Sequence, residues 1–275
     1  NLNEINREFS RLNEHILSAN INYQHDFAFG DFTPTRKMGG YTEYRTREYN
    51  TRLFIYSWKN GLPSNYRVMN VPDELMQDKN YGEDKLYLLE QVDWRNNYEG
   101  NNMLGAGYAG VNLPFGKWNI YAGVRFEHSR MELISNTQKN EKSPTSVYYT
   151  YDDFFPSLNA AYRLNEQHQF RLSYGRTVNR PEFREVSSSV YYDFDLASNV
   201  QGNYDLKAAY IDNIDLGYEY YPSNGELISV SLFYKKFKNP IEWTYTVAGG
   251  TDLIYSYINA KGADNYGVEV DIRKN

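Results

Sequence analysis

The chain has no cysteine among its 275 residues, which excludes a disulfide framework and a thiolate metal site. Long apolar runs are missing too: none exceeds four residues, whereas a membrane-spanning helix needs about 20. Positive charge is scarce, with 29 Lys and Arg against 35 Asp and Glu and a net charge of -6, so a nucleic-acid partner is disfavoured. The histidines His15, His25, His128 and His168 are scattered without ligand spacing, so no metal site is expected. No Ser-His-acid arrangement or phosphate loop is present, and neither an enzyme nor a cofactor is implied. The opening Asn1-Leu2-Asn3-Glu4 lacks the charged and apolar regions of a signal peptide, so the chain reads as mature or as a piece of something longer.

Aromatic residues are abundant. Tyr occurs 28 times and aromatics make up 17% of the chain, yet mean hydropathy is -0.74 and 23% of residues are charged. Few soluble domains are this aromatic and this polar together. A length of 275 residues fits one large domain or two small ones.

The pattern that orders the rest is Trp118 to His128. Trp118, Ile120, Ala122, Val124 and Phe126 are apolar, while Asn119, Tyr121, Gly123, Arg125 and Glu127 are polar, amphipathic or minimal. That alternation predicts a strand with one apolar and one wet face, continuing to about Leu133. Similar strands are expected from Leu17 to Phe29, from Met38 to Tyr56 with its charged upper part in water, and at Met103 to Leu113. Others run from Phe154 to Leu164, Phe170 to Thr177, Tyr210 to Tyr220 and Ile228 to Lys235. Residues 252–273 hold one phase and read as a single long strand, with a hairpin at Gly262 as the alternative. Pro156 is awkward in a paired strand and points to an edge or a bulge. A short helix is expected around Asp73 to Met76.

These are about nine strands. Short turns at 30–31, 114–117, 165–167 and 222–225 alternate with long polar connections at 58–102, 135–147, 179–207 and 238–251. Up-and-down outer-membrane barrels have this asymmetry; a soluble sandwich has no reason to keep it. Several strands exceed the roughly 9 to 11 residues that span a bilayer. The expected fold is all-β: an antiparallel up-and-down transmembrane β-barrel, seen as about nine strands of a larger wall, with Tyr suited to the membrane interfaces.

Several segments, in order, resemble the barrel of TonB-dependent outer-membrane receptors of Gram-negative bacteria, over roughly residues 15–274. They are Gly105 to Ala109, Gly123 to Glu127, Phe155 to Asn159 leading to Arg171 through Thr177, Asn179-Arg180-Pro181-Glu182-Phe183, Asn203 to Lys207 with Ile211-Asp212-Asn213, Ser229 to Lys235, and Tyr266 to Val270. The resemblance implies a 22-strand barrel, an N-terminal plug domain, and TonB-powered uptake of an oligosaccharide, a peptide or a metal chelate. The partners it implies are outer-membrane lipid, the receptor's own plug domain, the TonB complex and a surface lipoprotein. About nine strands cannot close such a barrel, and the end Ile272-Arg273-Lys274-Asn275 is not the terminal aromatic strand of outer-membrane barrels. Residues 1–275 are therefore expected to be a partial barrel domain, without plug, TonB box or final strands. The rival functions are a passive porin-like channel, a barrel enzyme and a soluble carbohydrate-binding β-protein.

Candidate site residues follow from the phases. Arg125, Glu127, Arg171, Asp215, Glu219, Glu269, Asp271 and Arg273 should face the lumen, either contacting substrate or plug or forming a hydrated, salt-bridged wall. Gly123, Gly175, Gly217 and Gly267 share that phase and would leave room for a plug, or mark barrel curvature. Tyr191, Tyr192, Asp193, Phe194 and Asp195 place rings beside carboxylates in a long connection, suited to a sugar or peptide or to packing between loops. His25, His128 and His168 fall on apolar phases and suit an interface belt.

Overall fold

The computed structural model describes residues 5–58, 76–250 and 252–274. In chain order its strands are β1 (Ile5–Asp26), β2 (Thr35–Trp58), β3 (Leu86–Gln91), β4 (Tyr98–Phe115), β5 (Trp118–Asn136), β6 (Pro144–Arg163) and β7 (His168–Asn179). They continue with β8 (Val190–Asp193), β9 (Ser198–Gln201), β10 (Ala209–Tyr220), β11 (Leu227–Lys238), β12 (Ile241–Gly249), β13 (Asp252–Asn259) and β14 (Gly262–Arg273). One helical turn, α1 (Phe183–Val186), lies between β7 and β8.

The main sheet follows the order β1-β2-β4-β5-β6-β7-β10-β11-β14, with β3 paired to the far end of β2. Each stave on this path is antiparallel to its neighbours. The path has nine staves, the number expected, and its ends β1 and β14 do not meet. A second sheet runs β12-β13-β9-β8.

Three expectations change. Residues 252–273 are not one strand: β13 and β14 belong to different sheets and the chain breaks at Ala260–Lys261. The break is held by the Asn259 side chain, which donates to the carbonyls of Lys207 and Asn239, and by the Ala260 N–H, which donates to Pro240. The phase of alternation is kept across the bend, so sequence pattern could not mark it. The long connections carry β3, α1, β8, β9, β12 and β13. The first stave begins at Ile5, far before Leu17. Of the helix expected near Asp73, residues 73–75 lie outside the described residues and Met76 is in a turn.

Pro156 stands where its missing N–H costs nothing. The β6–β7 ladder starts at Ser157↔Gly175, so Pro156 has β5 on one side and no ladder on the other. Beyond this point β6 and β7 part, leaving a seam between residues 144–156 and 176–179.

Polarity inverts along the staves. On β5, Trp118 through Phe126 present the apolar residues on one face; past Glu127 that face carries His128, Arg130 and Glu132, and the opposite face carries Met131 and Leu133. Met131 is 7% exposed and Leu133 1%, whereas Val124 is 45% exposed. The register extends the switch to neighbours: Met131 pairs with Tyr149, Leu133 with Gly100, and Tyr98 with Tyr49. The wall therefore has a turn-side half, apolar outside and polar inside, and a loop-side half with its apolar residues inside.

The turn-side half has membrane dimensions. Trp118 to Phe126 covers about 26 Å before tilt at about 3.3 Å per residue, against an apolar band of about 25 Å in such barrels. Its rim carries an aromatic row in which Trp118 meets Tyr162 at 4.7 Å, Phe170 meets Tyr218 at 5.1 Å and His168 stacks on Tyr220 at 4.6 Å. His25 lies 4.6 Å from the Phe27 ring, and at the other limit Phe126 meets Phe154 at 5.0 Å. Two aromatic girdles around an apolar band are the signature of an outer-membrane wall. His128 instead pairs with Asp152 at 2.8 Å, just past the second girdle.

Candidate functional site

The inner face of the loop-side half is covered by a cap built from two connections. Residues 180–208 supply α1, β8 and β9; residues 239–261 supply β12 and β13. The two are joined by parallel pairing of Ile254 with Asn199 and Tyr255 with Val200, and Val200 is fully buried. Side chains repeat the join. Asn203 donates to the Tyr257 carbonyl at 2.8 Å, and Asn259 exchanges two hydrogen bonds with the Lys207 backbone at 2.8 and 2.9 Å.

Arg180 fixes the cap where it leaves the seam. Its guanidinium donates to Glu127 and to Asp153, both at 2.8 Å, and lies against the rings of Tyr151 and Phe155. Asp153 also accepts from the Tyr210 hydroxyl at 2.6 Å. With two nearly buried carboxylates serving one arginine, removing it leaves their charge uncompensated.

Phe183 is the next anchor, 1% exposed. Its ring occupies the space a side chain at Gly100 would need. Arg45 and Arg47 lie over that ring at 5.6 and 5.5 Å. Both arginines pair with Glu14, and Arg45 also reaches Glu182 at 3.3 Å. Glu182 and Glu185 form a capping box around α1. Burial pushes the Glu185 carboxyl above the usual carboxylate range, opposed by the hydrogen bond from the Glu182 N–H. Tyr149 ties the wall to the cap by donating to the Tyr204 carbonyl at 2.7 Å.

Between the cap and the loop-side ends of β1 and β2 lies an open cleft of about 1190 Å³. Tyr49 and Leu53 line it from the wall, Arg184 and Tyr191 from the cap, and Tyr192 and Phe194 at its mouth. The Arg184 guanidinium lies 4.4 Å from the Tyr191 ring centre and 5.7 Å from that of Tyr49.

The residues expected in the 191–195 segment divide. Tyr191 is half-buried, with its hydroxyl 3.3 Å from that of Tyr257. Asp193 accepts the N–H groups of Asp195 and Leu196, so it shapes the β8–β9 turn. Tyr192 and Phe194 meet edge to face at 5.2 Å, and Phe194 is 86% exposed. Asp195 lines the cleft. Part of this segment packs the cap, and part faces an open space.

All eight acidic and basic residues expected on the lumenal phase share the inner face by register. Most are engaged with one another. Arg125 pairs with Glu127 at 2.7 Å, Arg171 with Glu219 at 2.8 Å, and Arg273 with Asp271 at 2.9 Å. Asp215 accepts from Ser173 at 3.2 Å, and Glu269 is exposed on β14. Arg171, Asp215, Glu219 and Gly217 line a second cavity of about 330 Å³ near the turn-side rim.

The four glycines also divide. A Cβ at Gly123 would come within 2.7 Å of the Tyr121 hydroxyl, and one at Gly267 within 2.6 Å of the Phe233 ring. These two are filled from within the wall, by a ring laid across a neighbouring backbone. Gly175 has nothing within 4 Å of such a Cβ, and Gly217 only Ser231 at 3.6 Å and Arg171 at 3.9 Å. Space remains over these two.

Arg45, Arg47, Glu14, Gly100 and Arg184 were not singled out by sequence reasoning, and Arg180 and Phe183 appeared only in a family-like segment. The usable signals were the change of apolar phase at Met131 and Leu133, and two glutamates three residues apart directly after Pro181.

The sequence matches the family described as TonB dependent receptor-like, beta-barrel, over residues 3–275. No curated protein matches it. Among solved structures it is similar to the ferric citrate transporter FecA in its unliganded form, with a TM-score of 0.61 at 14% identity, covering 96% of this chain and 32% of that one. The ferric-catecholate import receptor Fiu from K12 E. coli gives 0.58 at 16%, with 95% and 35% covered. The siderophore receptor PiuA from Acinetobacter baumannii gives 0.61 at 10%, with 95% and 36%. The chain thus spans about a third of the length of these structures, and at such identities they speak for the fold alone. The chain belongs to the TonB-dependent receptor β-barrel family, whose members are outer-membrane import receptors.

Proposed function

We propose that these nine staves are part of the wall of an outer-membrane receptor that imports a nutrient ligand through a plugged barrel energised by TonB. The observation that carries the reading is the inversion of polarity along β5 and its neighbours. A wall that is apolar outside for one bilayer's height, and then packs an ordered cap against its own inside, suits a receptor that offers a shaped surface to the exterior. A passive pore needs only a hydrated lumen. Residues 1–275 would then be a barrel section working with a plug domain, and the cavity over Gly217, with the open space at Gly175, is where that plug would pack.

The test uses the full-length parent protein. Reconstituted in planar bilayers it should hold the membrane closed, and cells lacking TonB should lose the uptake that it supports. Steady conductance by the intact protein would favour the porin-like reading. Release from membranes without detergent would favour a soluble binding protein. A bulky residue at Gly175 or Gly217 should leave the wall folded and impair plug docking; normal transport by Gly175→Trp would count against that placement.

A further inference from the structure

We infer that the cleft between the cap and the loop-side ends of β1 and β2 binds a short peptide by its terminal carboxylate, with Arg184 as the anchor. The inference rests on the receptor reading above and names the class of ligand for it.

Arg184 is prepared for an oxyanion. Its guanidinium lies over the Tyr191 and Tyr49 rings, at 4.4 and 5.7 Å. Among the described residues no carboxylate lies within salt-bridge distance of it, and its side chain donates no hydrogen bond. Arg45, Arg47 and Arg180, by contrast, are all paired with carboxylates on the same inner face. Rings against a guanidinium restrict its plane, so a bidentate carboxylate meets a fork already oriented.

The rest of the cleft argues against a multiply charged anion. Its charged lining is Arg7 and Arg184 against Glu8, Asp193 and Asp195. A ligand bearing several negative charges would satisfy Arg184 only by bringing its other charges toward those carboxylates. Asn6, Ser10 and Asn199 add neutral hydrogen-bonding groups, and Tyr192 and Phe194 add an exposed pair of rings. One carboxylate, a neutral hydrogen-bonding body, apolar side chains and an amino group facing acidic residues are together the chemistry of a short zwitterionic peptide.

The experiment uses the full-length receptor in detergent and synthetic tetra- to hexapeptides with neutral or basic side chains. Each is made as a free acid and as a C-terminal amide, and binding is measured by fluorescence anisotropy. The free acids should bind, and their amides about ten- to a hundredfold more weakly, as expected for losing hydrogen bonds to a charged group. Arg184→Gln should weaken the free acids to the level of the amides and leave the amides unchanged. Phe194→Ala removes a side chain that is 86% exposed and touches none of the buried cap anchors, and it should weaken acids and amides alike. Unheated electrophoretic mobility checks that each variant keeps its barrel. Equal affinity for acids and amides, no peptide binding, or Arg184-dependent binding of ferric citrate would overturn the proposal. If peptides fail while the protein still holds a bilayer closed, only the ligand class falls; steady conductance would remove the receptor reading itself.

Discussion

The two halves of a single stave obey opposite rules. Between Trp118 and Phe126, β5 is read by lipid: the outer residues are apolar because a charge there is costly, and the inner ones are polar because they face water. From His128 to Asn136 the outer residues are polar apart from Ile134, and the inner Met131 and Leu133 are buried. A transmembrane wall therefore need not end where the bilayer ends. Beyond it the same strands serve as one layer of an ordinary protein core, with the cap as the other layer.

This contrast can be attacked from either side. The largest effect should come from Phe183→Ala, which empties the pocket over Gly100; truncation of a buried Phe costs about 3–5 kcal/mol. Hydrogen exchange should show lost protection across residues 183–206 and unchanged protection in the turn-side half of β5. Val124→Arg attacks the other half and should cost about 2–4 kcal/mol by placing a cation against lipid near the midplane. Arg130→Val, on the same outer face but past the girdle, should shift stability by no more than about 0.5 kcal/mol. Comparable losses for Val124→Arg and Arg130→Val in urea unfolding would erase the boundary between the halves. Tyr149→Phe removes the bond to the Tyr204 carbonyl and should loosen the cap by about 0.5–1.5 kcal/mol.

The smallest effect concerns pH. Burial raises the Glu185 carboxyl above its usual range, so its contribution favours the cap most below the unfolded-state value and is lost as pH rises through the folded one. Measured as protection relative to the intrinsic exchange rate at each pH, the cap should be better protected in mildly acidic buffer than at neutral pH, and Glu185→Gln should flatten that difference. A cap protected equally at both pH values in the parent protein would remove Glu185 from the account.

The turn-side wall was readable from sequence because lipid enforces a period of two on a whole face, and Trp118 through Phe126 keep it without interruption. The loop-side half was not, because its apolar face is the other one: Met131 and Leu133 break the phase set by Phe126 and look like noise when the strand is assumed to have one environment. The extent of β1 was missed for the same reason, since Leu12, Glu14 and Ile16 share the inner face with their ladder partners Tyr49, Arg47 and Arg45 and stand out of phase with Leu17 and the residues after it. Segment 191–195 stands out by its composition. Arg184 does not, because what makes it notable is the absence of a carboxylate partner among the described residues and the presence of two rings, one contributed by β2. Such facts are created by folding and have no spacing in the chain.

The parallel join between β9 and β13 has a further consequence for how such receptors can diversify. A surface connection that packs alone can be exchanged between proteins without regard to the others. Here Asn199 and Val200 have their ladder partners in Ile254 and Tyr255, so transplanting either connection by itself would leave unmatched backbone beside the cleft. The heritable module is the pair, and a recombination event that keeps both connections together transfers a folded cap, whereas one that falls between them does not.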